Sequence, residues 1–145
     1  MEKPVWAVVA NGSKARVLEQ DSTKPGRWTE VECLLHPQSR LHGADAGHEP
    51  AGHAIAGRSG LAPRSSPQEH ERRIFAQQIA DAVGAAVAEQ RVGSIVVFAS
   101  NPFLGELLAH LDSGSRQRVA DSHALDLTSL GLQELAQRLH SDFQL

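Results

Sequence analysis

The pattern of apolar and polar positions divides the chain into strand-like runs, helical stripes and one long stretch with neither period. Val5-Trp6-Ala7-Val8-Val9-Ala10 is a continuous apolar run that stops at the turn signal Asn11-Gly12-Ser13, the pattern of a strand buried on both faces. Lys14 to Gln20 and Trp28 to Leu35 predict two more strands, separated by Asp21 to Arg27. Pro25-Gly26 in that gap suits the centre of a type II turn, because proline presets φ and glycine accepts a positive one. In the third run Thr29, Val31, Cys33 and Leu35 alternate with Trp28, Glu30 and Glu32, which predicts a half-solvated strand with Cys33 as a small buried hydrophobe. The first third therefore reads as an antiparallel meander.

From His36 to Ser65 the period is lost. Gly43, Gly47, Gly52, Gly57 and Gly60 fall here, with Pro37, Pro50 and Pro63. Connections longer than about 12–15 residues without structure of their own are usually functional or mobile. This stretch ends at Ser66-Pro67-Gln68-Glu69, a capping box with proline at the first helical position. Phe75, Ile79, Ala82, Val83, Ala86 and Val87 then share one helical face. Ser94 to Ser100 is a second fully apolar strand, and Asn101-Pro102 opens a helix carrying Phe103, Leu104, Leu107, Leu108 and Leu111. Val119 to Leu127 predicts a weaker strand, and Leu130 to Leu139 a last amphipathic helix.

Two apolar strands joined through a capped helix imply a parallel crossover. The fold class is α/β: a single domain over 1–145, with a mixed β-sheet built from an antiparallel meander and parallel strand–helix–strand units. About three helices and a long glycine- and histidine-rich loop over 36–65 complete the prediction.

Composition narrows the function classes. The hydrophobic share is 41% and the charged share 21%, which excludes collagen-like, heavily disordered and membrane-spanning chains. No run approaches the ~20 apolar residues of a membrane helix, and the apolar N-terminal run is too short for a secretory core. The expected location is the cytoplasm. Lys and Arg number 14 against 17 Asp and Glu, a net charge of −3, so any RNA contact must come from a local basic patch. One cysteine, Cys33, excludes a disulfide framework and a cysteine-rich zinc site.

The candidate chemistry is sparse. His36, His42, His48 and His53 sit in the 36–65 loop, but their spacing matches no zinc motif, and they read as solvated loop histidines; no metal and no cofactor is expected. His110 and His140 lie near helix C-termini, where the dipole favours a cation. Asn11, Ser13 and Asn101 follow buried strands, where open α/β sheets gather ligands, and they are the residues a hydrolase- or nuclease-like alternative would use. No nucleophile elbow, phosphate loop or paired carboxylates accompany them. The basic residues have more pattern: Arg40, Arg58 and Arg64 in the loop, Arg72 and Arg73 in the next helix, and Lys14 and Arg16 on the second strand. Arginines on a glycine-rich backbone can follow a phosphate chain closely.

The ordered strings Trp6 to Glu19, His36-Pro37 with Arg40, Gly57-Arg58, Ser66 to Phe75, Val96 to Leu107 and Asp126-Leu127-Thr128 resemble the bacterial host-attachment protein family. That family is similar to the middle domain of archaeal and eukaryotic class I release factors, in which a glycine-rich loop before a long helix carries Gly-Gly-Gln. Here Ala56-Gly57-Arg58-Ser59-Gly60 occupies the corresponding place and Gly-Gly-Gln is absent, so the hydrolase activity does not carry over. The resemblance implies a mixed α/β fold and a ribosomal or structured-RNA partner. The expectation is a non-catalytic cytoplasmic module that contacts ribosome or RNA, without a membrane partner, through Arg40, Arg58, Arg64, Gly57, Gly60, Arg72 and Arg73. The other alternative is a protein-interaction module, its loop folding on a partner and its link to host attachment indirect.

Overall fold

The computed structural model describes residues 3–37 and 66–145. Its elements run β1 (Val5–Ala10), β2 (Lys14–Gln20), β3 (Trp28–Leu35), α1 (Pro67–Ala88), β4 (Ser94–Ala99), α2 (Phe103–His110), α3 (Ser113–Arg118), β5 (Val119–His123) and α4 (Leu132–Phe143). The strands form one open sheet in the order β3-β2-β1-β4-β5. β1 pairs antiparallel with β2, and β2 with β3, while β1–β4 and β4–β5 are parallel. The fold is mixed α/β, as the period changes predict.

Strand alternation builds two cores from one sheet. Trp6, Val8 and Ala10 of β1 join Ile95, Val97 and Ala99 of β4 under Phe75, Ile79 and Val83 of α1 and Leu107 of α2. Ala7, Val9, Val96 and Phe98 face the other way, onto Leu135 and Leu139 of α4 with Trp28 and Leu127. Both faces of β1 and β4 are therefore apolar, which is why those strands read as unbroken apolar runs. The α1 start is as the sequence predicts: the Ser66 side chain accepts the Glu69 N–H, and the Glu69 carboxylate accepts the Ser66 N–H at 2.8 Å. The turn before β3 also holds, with Gly26 at φ 86° and the Arg27 N–H on the Lys24 carbonyl at 3.1 Å.

The exposed face of β3 differs from its alternation. Val17 pairs with Glu32 and Leu18 with Glu30, so Val31 is the extra residue of a β-bulge. The bulge reverses which residues face which layer. Trp28 is buried in the α4-side core and Leu34 packs on the α1-side core, while Val31, Cys33 and Leu35 are exposed. Cys33 is thus a surface thiol rather than a buried hydrophobe.

The C-terminal third is re-divided too. The strand expected over Val119 to Leu127 ends at His123, because the Leu125 N–H turns back to the His123 carbonyl and Asp126 starts a turn of its own. The last helix runs to Phe143 rather than Leu139. A fourth helix among the described residues, Ser113–Arg118, has no apolar stripe and starts where the Asp112 side chain accepts the Ser115 N–H at 2.7 Å.

Candidate functional site

Parallel pairing of Ala10 with Ala99 brings the carboxyl ends of β1 and β4 to one edge of the molecule. The β1–β2 turn, the end of β3 and the start of α1 meet there. The His36 N–H donates to the Ser13 carbonyl at 2.9 Å, carrying the β2–β3 ladder one residue past β3. The His36 ring nitrogen Nε2 lies 2.6 Å from Glu71 Oε1, with both side chains largely buried at 8% and 14% exposure. The same ring stacks on Phe75 at 5.3 Å between centroids, and Phe75 stacks in turn on Phe103. His36 is therefore a packed, hydrogen-bonded side chain and not a solvated histidine. Burial in the apolar layer requires such a partner for a polar ring.

This contact fixes where the 36–65 stretch is attached. It leaves the sheet at His36 and returns at Ser66, one turn before the helix residue that His36 binds. Around that base the Arg72 stem runs past the β1–β2 turn. A Cβ on Gly12 would stand 3.5 Å from the Arg72 Cγ, an ordinary van der Waals distance, so the stem lies directly against the turn. Arg72, Arg73 and Lys14 are half-buried on these elements. Arg40, Gly57, Arg58, Gly60 and Arg64, like His42, His48 and His53, lie outside the described residues.

Arg16 leaves the basic patch. It is 6% exposed on the opposite face of β2 from Ala15 and Val17. Its guanidinium pairs with Glu30 at 2.9 Å and donates to the Thr128 carbonyl at 3.1 Å and to the Leu130 carbonyl. It is a clamp on the segment leading into α4, and no phosphate can reach it.

Strand-end residues of the enzyme alternative are also engaged. Asn11 Oδ1 accepts the backbone N–H groups of Ser13 and Lys14, both at 2.9 Å, and the Ser13 hydroxyl. Asn11 Nδ2 donates to Asp126 Oδ2 at 3.1 Å and to Thr128 Oγ1 at 3.0 Å. That side chain is spent on a turn and a cross-link. Asn101 is exposed before α2. The grooves between Gly26–Trp28 and Leu132–Ala136, and beside Leu108, Arg116 and Val119, touch none of Asn11, Ser13 and Asn101. Among the described residues no three of His, Cys, Asp and Glu are grouped to hold a metal ion.

The polar cross-link was only partly legible in the sequence. Asp126-Leu127-Thr128 has the spacing of a turn in which an aspartate caps the residue two ahead, and Asp126 Oδ1 does accept the Thr128 N–H and hydroxyl. Nothing local pointed to Asn11, 115 positions away. Burial opposes the Asp126 charge, but the Thr128 hydroxyl and backbone N–H and the Asn11 amide outweigh it, holding the carboxyl below the usual aspartate value. A folded-state pKa below the unfolded one contributes stability at neutral pH that is lost as pH falls through the folded value. Asp126→Asn is therefore expected to be less stable than the wild type near neutral pH, the gap narrowing as pH falls below the usual aspartate value. Urea melts of both proteins across that range measure it.

Comparison with known proteins gives a family and a fold. A family model described as "Protein required for attachment to host cells" matches residues 6–139. No curated protein matches the chain. Among solved structures, one described as an archaeal protein is similar over 97% of this chain and 34% of its own, with TM-score 0.55 and 10% identity. The archaeal translation termination factor aRF1 is similar over 98% of this chain and 35% of its own, with TM-score 0.52 and 10% identity. A non-polymerisable quadruple mutant of pCBH ParM is similar over 94% and 47%, with TM-score 0.51 and 8% identity. The chain thus spans about a third of the first two proteins and under half of the third, and at these identities the likeness is one of fold.

Proposed function

We propose a function from the premise that this chain belongs to the family of proteins required for attachment to host cells. The proposed role is that of a non-catalytic cytoplasmic module that binds ribosome or structured RNA, with host attachment a downstream consequence. Support comes from two sides. The fold is similar to part of an archaeal translation termination factor, and the Gly-Gly-Gln string that the resemblance to release factors calls for is missing. The carrying observation is the His36–Glu71 contact. It ties the exit and the return of the 36–65 stretch to one base beside Arg72 and Lys14.

On this reading Arg40, Arg58 and Arg64 meet phosphates, Gly57 and Gly60 let the backbone come close, and Arg72 and Arg73 extend the contact onto the helix. The net charge of −3 predicts that the interaction is local and salt-sensitive. Each phosphate contact contributes about 0.7–0.9 to the slope of log affinity against log salt. Replacing Arg40, Arg58 and Arg64 together by alanine is expected to weaken ribosome co-sedimentation at low salt and to flatten that slope by about 2. Wild-type protein that stays in the supernatant at low salt, or a triple variant that pellets like the wild type, overturns the proposal.

A further inference from the structure

The start of β3 and the start of α4 leave a groove of about 440 Å³ between them, lined by Gly26, Arg27, Trp28, Leu132, Gln133 and Ala136. Three kinds of hydrogen-bond donor belong to its walls, and none has an acceptor among the described residues. The first is the N-terminus of α4. Its cap residue Gly131 has no side chain to offer, so the backbone N–H groups of Leu132, Gln133 and Glu134 are free. The second is the exposed Arg27, whose guanidinium no hydrogen bond or ion pair holds. Asp21, whose charge Arg27 feels, is already occupied by the Thr23 N–H and hydroxyl. The third is Trp28, 5% exposed, with its Nε1 buried and unpartnered. Trp6 gives its own Nε1–H to Glu19 at 2.9 Å, so the unserved indole is particular to this groove.

We propose that the groove binds a small amphipathic carboxylate. Its apolar body would lie on Leu132 and Ala136, and its carboxylate would sit between Arg27 and the first turn of α4. A free helix N-terminus and a guanidinium both favour negative charge, and Glu134, the acid of that turn, is exposed and does not line the groove. A carboxylate only accepts, and its two oxygens have lone pairs enough for the guanidinium, the helix N–H groups and the indole N–H together. A buried donor without an acceptor is costly, so the Trp28 N–H favours an occupied groove. The volume falls within the range of small-molecule sites, which pair apolar walls with a few convergent polar groups. The groove lies at the opposite end of β3 from His36, so this proposal stands apart from the role of the 36–65 stretch.

The test uses 2-naphthoate as the probe and 2-naphthamide as its uncharged match, followed on the full-length chain by proton–nitrogen NMR. Naphthoate is expected to bind with a Kd of about 1 mM, shifting the Trp28 indole and Gln133 backbone signals saturably and leaving the Trp6 indole in place. The amide, and naphthoate on Arg27→Gln, are each expected to bind about tenfold more weakly. Gly131→Ser gives the first turn a neutral capping oxygen of its own. The φ of −67° at Gly131 and the open space around it accept that side chain. This variant is expected to keep or raise the thermal midpoint while binding naphthoate about tenfold more weakly, which a merely damaged fold would not do. The proposal is overturned by the absence of a saturable shift at about 10 mM naphthoate, or by a Trp6 shift as large as that of Trp28. Equal binding of the amide, or a Gly131→Ser or Arg27→Gln protein that binds like the wild type, overturns it as well.

Discussion

Replacing Arg16 by alanine is expected to lower the unfolding free energy by about 3 kcal/mol, a large part of the 5–15 kcal/mol that holds a domain of this size. The guanidinium is buried and serves three acceptors: the Glu30 carboxylate and the carbonyls of Thr128 and Leu130. Removing it leaves one carboxylate without its cation and two carbonyls without a donor. Glu30 keeps 28% side-chain exposure and can take up water, which holds the cost to the lower end of the range for broken buried pairs. A second variant separates the ion pair from the clamp. Were only the pair at stake, Arg16→Met with Glu30→Leu would restore stability, as apolar replacements of buried pairs often do. The carbonyls remain unserved in that double variant, so it is expected to stay about 2 kcal/mol below the wild type in urea unfolding. Full recovery in the double variant would reduce Arg16 to an ion-pair residue.

Arg16 also marks where sequence reasoning stopped. The strands were legible because β1 and β4 are apolar on both faces, and α1 because its cap, its proline and its apolar stripe agree. A charge in the middle of a strand has two readings, a solvated face or a paired interior. The deciding partners of Arg16 lie 112 and 114 positions along the chain. His36 is the same case at shorter range, since Glu71 and Phe75 stand beyond the whole 38–65 stretch. The outward turn of Cys33 depended on one bulged residue, and a bulge leaves no mark in an otherwise regular alternation. Helix α3 has no apolar period to detect, being Ser113-Gly114-Ser115-Arg116-Gln117-Arg118 with only Ser115 buried. What local pattern fixes was readable. Contacts between distant segments were not, and the base of the 36–65 stretch is made of such contacts.

Phe75→Ala is expected to cost about 3–5 kcal/mol, lowering the thermal midpoint by roughly 10–15 °C. Phe75 is fully buried between α1 and the sheet, and its ring joins His36 on one side to Phe103 on the other. Truncation removes the contacts of both neighbours and leaves a cavity under the helix, whereas Phe75→Leu keeps most of the volume and is expected to cost only about 1–1.5 kcal/mol. A double-mutant cycle with His36→Ala reads the part that matters for the base of the 36–65 stretch. If the ring stack holds the His36 imidazole against Glu71, the two losses share a contact, and the double variant should be about 1 kcal/mol more stable than their sum. Additive losses would mean that Phe75 only fills the core, and the tie between β3's exit and α1 would then rest on the Glu71 carboxylate. A coupled result makes the attachment of the stretch part of the same packed unit as the sheet.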